Sequence, residues 1–159
     1  MNVLLKPTTQ HELTVSRDIR APRPRVFAAW TDPRQAALWW APQDCTPLTC
    51  EMDVRPGGVW QRTMRVPDGS VVTKHGVYRD VTPPEKLSFN YTTQYANGAV
   101  DPLTLVTVVL TEIEGGTRVT LRHINFETQM SCDNHRGGWT SALERFAAFV
   151  AGSPTGPRA

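Results

Sequence analysis

The side chain best suited to chemistry in this sequence is His123, which lies in the alternating run TRVTLRHINF. A period of two is typical of a strand, and it places Val119, Leu121 and His123 on one face that we expect to point inward. An imidazole with an ordinary pKa of about 6.5 suits a general base or the polar anchor of a bound ligand. The alternative is a core histidine satisfied by a neighbouring hydroxyl or carbonyl. Because no nucleophile or orienting carboxylate accompanies it, catalysis by His123 is only a hypothesis.

Metal and cofactor chemistry are not indicated. The histidines lack the i, i+4 spacing of a helical metal pair: His11, His75, His123 and His135. The cysteines are odd in number and have no CxxC spacing: Cys45, Cys50 and Cys132. No Walker loop, GxSxG or Rossmann glycine pattern occurs, and the glycine pairs fit turns. We therefore expect no metal and no cofactor.

Charge and hydropathy argue against two classes of partner. The 159 residues carry 17 basic and 15 acidic side chains, without the clustered positive charge that nucleic acid or a membrane surface requires. No apolar run approaches the roughly 20 residues of a membrane-spanning helix, and Val3–Leu5 is too short for a signal peptide core. We expect a cytoplasmic protein with free thiols, no nucleic-acid partner and no membrane insertion.

The elements that must position His123 follow from local patterns. A strand in ELTVSRDIR precedes two short helices, in APRPRVFAAWTDP and RQAALWW. About six further strands alternate with a period of two and are joined mostly by short turns such as PDG and EGG. An antiparallel meander with one apolar face needs a cover, and only the last helix is long enough to supply it. The sequence therefore predicts an α+β fold.

The segment DNHRGGWTSALERFAAFVAG, residues 133–152, predicts that covering helix. Its apolar residues recur at i, i+3, i+4, i+7 and i+11 on one stripe: Trp139, Ala142, Leu143, Phe146 and Val150. With Asp133 as N-cap, Gly137 and Gly138 fall in the first turn and a half, where glycine matters least. The two glycines either leave open space beside Trp139 or permit tight packing of the helix on the sheet.

In order and spacing these segments resemble one protein family. The matching pieces are RDIRAPRPRVFAAWTDP, LWWAP, DVRPGGVWQRTM, HGVYRDVTPPEKLSF, VTVVLTEIEGGTRVTLRH and GGWTSALERFAAFV. From Glu12 to Ala151 the chain is similar to the activator of heat-shock protein 90 ATPase homologue family, within the START/SRPBCC superfamily. The resemblance implies the helix-grip (START/Bet v-like) fold. In that fold a curved antiparallel sheet wraps around a long C-terminal helix, with two short helices after the first strand.

The resemblance also implies a mostly apolar cavity between sheet and helix. Combined with the inward positions, it gives an expected ligand-binding lining: Trp60, Met64, Phe89, Tyr91, Leu121, His123, Trp139, Leu143 and Phe146. Arg62 shares the face of Trp60 and Met64, so it either lies near the mouth or shows that this assignment is wrong. In KHGVYRDV the pattern leaves open whether His75 or Tyr78 faces inward.

Two adjacent tryptophans, Trp39 and Trp40, are expected at the cavity mouth. Neighbouring residues on a helix point about 100° apart, so only one of the two can face the cavity. We divide the chain into a lead-in over residues 1–11, one helix-grip domain over 12–152 and a flexible tail over 153–159.

Three functions are compatible with these features. We prefer a protein that holds a small hydrophobic or amphipathic ligand in the cavity. The second is a cyclase- or hydrolase-like enzyme for a polyketide-type substrate, with His123 and either Tyr91 or His75 as acid and base. The third is a co-chaperone-like module linked to stress response. The co-chaperones that name the family carry a further chaperone-binding domain for which this length leaves no room. Homodimers are an option in this family, but the sequence identifies no surface for them.

Overall fold

A computed structural model describes residues 11–152 of the chain, so the N-terminal residues 1–10 and the tail over 153–159 lie outside the described part. The order of elements is the one expected from the sequence and confirms the α+β class. The described residues form these strands and helices: β1 Leu13–Ile19, α1 Arg23–Thr31, α2 Pro33–Ala36, β2 Thr46–Met52, β3 Val59–Arg65, β4 Val71–Thr82, β5 Lys86–Gln94, β6 Thr104–Ile113, β7 Gly116–Ile124 and α3 Gln129–Gly152.

The seven strands form one antiparallel sheet in the order β1-β7-β6-β5-β4-β3-β2. Neighbouring strands along the chain pair as hairpins from β2 to β7, and β1 then adds to β7 at the far edge. The sheet curls as a half-barrel around α3, which is the helix-grip arrangement. A sheet with one apolar face requires such a cover, and α3 supplies it.

The stripe expected on the last helix is buried, which confirms the helical period found in the sequence. Its five members expose 6% or less of their surface: Trp139, Ala142, Leu143, Phe146 and Val150. Phe146 lies at the centre of this contact, with its ring 5.8 Å from that of Trp30 on α1 and 4.6 Å from that of Trp39. Each large side chain buried in this way contributes about 1.5–3 kcal/mol to folding, so the stripe fixes the helix on the sheet.

The start of α3 differs from the expectation. The helix begins at Gln129, four residues before Asp133, because the Thr128 hydroxyl accepts a hydrogen bond of 3.1 Å from the backbone N–H of Ser131. Asp133 is instead an exposed residue of the second turn and accepts from the Gln129 amide at 2.8 Å. Gly137 and Gly138 consequently lie in the third turn, where glycine weakens a helix more than at its end.

Candidate functional site

A cavity of about 390 Å³ lies between the inner face of the sheet and the first half of α3. Small-molecule sites in proteins are typically about 300–1,000 Å³. Two of its lining residues, Tyr95 and Met130, are exposed to solvent. The lining comes from the loop after α2, from β3 to β5, from the β5–β6 loop, from the end of the β7–α3 loop and from α3: Trp40, Pro42, Trp60, Arg62, Met64, Lys74, Tyr91, Tyr95, Asp101, Thr128, Met130, Ser131, Asn134, His135, Gly138, Trp139 and Ala142.

The structure divides the residues expected at the site into two groups. One group lines the cavity: Trp40, Trp60, Met64, Tyr91 and Trp139. The other group is buried in the core and does not line it: Trp39, Phe89, Leu121, His123, Leu143 and Phe146. Both groups face inward, but the cavity occupies only the part of the sheet beneath the first half of α3. Alternation shows which side chains of a strand face inward. It does not show which of these side chains pack in the core and which line the cavity.

His123 is fully buried and has a partner at both ring nitrogens. The indole Nε1–H of Trp139 donates to Nδ1 of His123 at 3.0 Å, and Nε2 lies 2.7 Å from the Thr104 hydroxyl. An indole can only donate, so Nδ1 must carry the lone pair and Nε2 the proton. The Thr104 hydroxyl accepts from Nε2 and donates to the backbone carbonyl of Tyr91 at 2.6 Å. The chain of hydrogen bonds therefore leaves neither nitrogen of the imidazole free.

This network makes His123 a positioning residue. Burial, together with the nearby His135 and Lys74, holds its pKa well below the ordinary value, so the ring is neutral at physiological pH. Its Nδ1 fixes the indole of Trp139, and its partner Thr104 fixes the backbone at Tyr91. Both Trp139 and Tyr91 line the cavity. Of the two interpretations of His123 in the sequence, this arrangement matches the core histidine whose ring is satisfied by a neighbouring hydroxyl.

Trp39 and Trp40 point in different directions, as expected for adjacent residues. Trp39 is fully buried and its Nε1–H donates to the carbonyl of Ala29 at 2.9 Å. Trp40 lines the cavity and lies 5.7 Å from the guanidinium carbon of Arg62. The helix expected over RQAALWW ends at Ala36, and the chain continues through Trp39 only as turns.

The Trp60 ring crosses the neighbouring strand at Gly76. Its Nε1–H reaches over β4 to donate to the Asn90 carbonyl on β5 at 3.2 Å. Trp60 is paired with Gly76, where a Cβ would overlap the Asn90 carbonyl oxygen and lie 2.9 Å from the Trp60 nitrogen. The inward face of β4 therefore contains Gly76 and Tyr78, which settles the ambiguity in KHGVYRDV. His75 lies on the other face, away from His123.

Two cationic side chains lie in the cavity wall, and the sequence pattern drew attention to only one of them. Arg62 is buried between Trp60 and Met64 on β3, with 3% of its surface exposed. Its guanidinium carbon lies 5.1 Å from the Trp60 ring, and its Nη2 donates to the Met52 sulfur at 3.7 Å. In the sequence, Arg62 stood out because it is a charged residue on a strand face that otherwise points inward.

Lys74 is the second cation, and it pairs directly with Arg62 across β3 and β4. Its ammonium donates to the Thr93 hydroxyl at 2.9 Å and lies 5.4 Å from the Tyr91 ring. Burial lowers the pKa of Lys74 to about 8, and the negative charge of Asp101 opposes that shift. Lys74 lies in the segment whose alternation was ambiguous, so no sequence signal identified it.

His135, which was not among the residues expected to line the cavity, lies in the cavity wall one turn before Trp139. Its Nδ1–H donates to the Ser131 carbonyl at 2.8 Å, since a carbonyl can only accept. Burial and the charge of Lys74 lower the pKa of His135 to about 4. A neutral ring with Nε2 unprotonated is therefore an acceptor at the cavity wall.

The wall as a whole provides several kinds of group that can contact a ligand. It offers aromatic faces, two cations and a neutral imidazole. Within residues 11–152, no group of three or more histidine, cysteine, aspartate or glutamate side chains is arranged to hold a metal ion. In the same residues none of the helices has both the length and the apolar character needed to cross a bilayer.

Comparison with solved structures shows the same fold in bacterial proteins. A protein from Arthrobacter aurescens is 28% identical, with a TM-score of 0.76 over 88% of this chain and 86% of that one. The AHSA1 protein from Silicibacter pomeroyi is 22% identical, with a TM-score of 0.78 over 88% of this chain and 97% of that one. A Mycobacterium smegmatis protein is 24% identical, with a TM-score of 0.75 over 95% of this chain and 98% of that one.

No curated protein matches the sequence. The family model described as activator of Hsp90 ATPase homolog 1-like protein matches residues 20–151, which is most of the chain and includes every described strand except β1. The order of elements, the antiparallel half-barrel and the covering helix agree with that match. The chain therefore belongs to the activator of Hsp90 ATPase homolog 1-like family.

Proposed function

We propose that the protein binds a small hydrophobic or amphipathic molecule in the cavity between the sheet and α3. The observation that carries this proposal is a space of about 390 Å³ with aromatic walls formed by Trp40, Trp60, Tyr91 and Trp139. Burial of apolar ligand surface there contributes about 25 cal/mol per Å² before the costs of association are subtracted. Concave, mostly apolar pockets with a few fixed polar groups are the usual form of such sites.

The aromatic rings of the cavity wall are held in place by hydrogen bonds without any ligand. This preorganisation supports a role in ligand binding. Trp139 is held by His123, and Trp60 is held by the Asn90 carbonyl. A ring that is already immobilised loses little conformational entropy when a ligand stacks on it. The same hydrogen bonds occupy His123, so they argue against the acid–base pairs proposed for a cyclase or hydrolase.

We expect this binding to take place in the cytoplasm. Cys45, Cys50 and Cys132 are free thiols, and such cysteines are usual in a reducing compartment. A chaperone partner, a role in stress response and homodimerisation derive only from the family's name and known members. None of them is needed for the proposed activity.

The experiment is a fluorescence titration with the neutral apolar probe N-phenylnaphthylamine, preceded by native mass spectrometry of the purified chain. The proposal predicts saturable binding of one probe molecule and a raised melting temperature. A ligand at about 100 times its Kd stabilises the fold by about 2.7 kcal/mol. Absence of saturable binding, together with a mass spectrum that shows only the bare chain, would contradict the proposal.

A further inference from the structure

The charge of Arg62 has no counter-ion among residues 11–152, although only 3% of its surface is exposed. Its guanidinium donates to the Met52 sulfur at 3.7 Å, a weak partner, and its Nε has no acceptor within the described chain. The Cys50 thiol and the Tyr78 phenol near it are neutral, because burial raises the pKa of both. A buried cation without a counter-ion is unfavourable, and buried charges in proteins are normally paired.

A second cation lies directly opposite. Arg62 and Lys74 are cross-strand partners in the register of β3 and β4, and directly opposite residues project from the same face of a sheet. Like charges at such positions destabilise the pairing. Lys74 also makes no ion pair within the described residues, and its hydrogen bond is to the neutral Thr93 hydroxyl. The wall therefore holds two positive charges that form no ion pair within the described residues, although the charge of Asp101 acts on Lys74 from a greater distance.

The carboxylate in the cavity lining forms no ion pair with either cation. Asp101 lies in the cavity wall but is more than an ion-pair distance from either cation, and its Oδ2 accepts from the Tyr95 hydroxyl at 2.8 Å. The Trp40 indole N–H beside Arg62 is buried and also lacks an acceptor in the described part of the chain. Around Arg62 two buried N–H donors, its own Nε and the Trp40 indole, are thus left without an acceptor in the described part of the chain.

We propose that the ligand of this cavity is an amphipathic anion, with a carboxylate or similar group held by Arg62 and Lys74 and an apolar body against the aromatic walls. This inference rests on the proposed function and adds the charge of the ligand to it. Arg62 is the anchor, because hydrogen bonds between a guanidinium and a carboxylate are short and roughly twice as strong as neutral ones. Trp60 and Trp40 flank Arg62 and fix its guanidinium in the wall.

The competing explanation is that Arg62 has only a structural role. Its guanidinium would then be stabilised by cation–π contacts with the Trp40 and Trp60 rings alone, without a ligand. The two explanations differ in what the cavity selects. A structural contact gives no preference between an anionic ligand and its neutral counterpart. An anion subsite gives such a preference and loses it when Arg62 is replaced.

The test compares two fluorescent probes that differ by one charged group, anilinonaphthalene sulfonate and neutral N-phenylnaphthylamine. We expect Arg62→Met to weaken binding of the sulfonate by about 10- to 100-fold, the range for hydrogen bonds to charged groups, and to leave the neutral probe within about twofold. Arg62→Lys should recover part of the loss. Arg79→Met, at an exposed residue of β4, is the matched control and should change neither probe.

Lys74→Met keeps the test decisive if Arg62→Met does not fold. It should weaken binding of the sulfonate selectively. It should also abolish the loss of sulfonate affinity that we expect for the wild type above pH 8, where Lys74 loses its proton. Equal affinity of both probes for the wild type, or an equal loss of both in Arg62→Met and Lys74→Met, would overturn the anion subsite while leaving cavity binding intact. Displacement of the sulfonate by inorganic phosphate at millimolar concentration would overturn the amphipathic part, because a free anion would then suffice. Failure of both probes to bind would instead contradict the proposed function.

Discussion

The indole nitrogen of Trp139 donates a 3.0 Å hydrogen bond to Nδ1 of His123, and this contact fixes the tautomer of a fully buried imidazole behind the cavity wall. Because the indole cannot accept, the imidazole must be neutral with its proton on Nε2. His123, which the sequence suggests as a catalytic residue, therefore holds Trp139 in the cavity wall instead. Single substitutions can remove the contacts on which this wall depends.

Replacement of His123 by alanine should destabilise the fold and loosen the wall together. The change leaves the Trp139 N–H without its acceptor and removes a fully buried side chain, so we expect a loss of about 2–4 kcal/mol in the free energy of unfolding. Urea unfolding measures that loss, and the summed fluorescence of the five tryptophans should shift to the red as the Trp139 ring gains freedom. A variant that is as stable as the wild type would contradict the positioning role.

Stability should fall as the pH is lowered from 7 to 5. His135 has a pKa of about 4 in the folded state against about 6.5 unfolded, so the unfolded chain binds more protons in this window and is favoured as the pH falls. This one group contributes about 2 kcal/mol over the two pH units. His123, whose pKa is also lowered by burial, acts with the same sign.

Urea titrations at the two pH values measure this dependence. His135→Gln should show a distinctly smaller loss between pH 7 and pH 5 than the wild type, because the variant has one fewer group to protonate on unfolding. Identical losses in the two proteins would show that His135 does not carry the effect.

A pair of glycine replacements should have opposite signs. Gly76→Ala places a methyl group on the Asn90 carbonyl beneath the Trp60 ring, so we expect a loss of about 3 kcal/mol or more. Gly137→Ala meets no atom within 4 Å in the middle of α3, so we expect a gain of about 0.5–1 kcal/mol from helix propensity. Thermal unfolding of both variants checks the pair, and a stable Gly76→Ala would contradict the crossing of Trp60 over β4.

The start of α3 can be tested by removing each candidate cap. Thr128→Ala should cost about 0.5–2 kcal/mol, because the hydroxyl satisfies the free N–H of Ser131. Asp133→Ala removes an exposed side chain inside the helix and should cost about 0.5 kcal/mol or less. The reverse order of effects in urea unfolding would restore Asp133 as the N-cap.

The fold was largely predictable because two periods dominate it. A period of two placed Val119, Leu121 and His123 inward, and a period of 3.6 placed the α3 stripe on the sheet, and the structure buries all of them. The helix start was not predictable from spacing. Thr128 and Asp133 are both good caps, and only the hydrogen bond that forms distinguishes them.

The site was predictable in kind and less so in detail. Trp60, Tyr91 and Trp139 line the cavity, whereas Phe89 and Leu121 are packed behind it, because alternation gives the direction of a side chain and not its depth. Lys74 and His135 are two polar wall residues that no pattern identified, and their place depends on the register of β4 and on the orientation of α3 relative to the sheet. Those are tertiary relationships that no local pattern encodes.

The most direct measurement of cavity binding uses the two adjacent glycines of α3 as a matched pair. Gly138 lines the cavity beside Pro42, whereas Gly137 is exposed and a methyl group placed on it would meet no atom within 4 Å. Leucine at either position improves helix propensity alike, but only Gly138→Leu fills ligand space. In titrations with N-phenylnaphthylamine we expect Gly138→Leu to weaken binding by about tenfold or more, and Gly137→Leu to match the wild type. Equal affinities in all three proteins would contradict binding in this cavity.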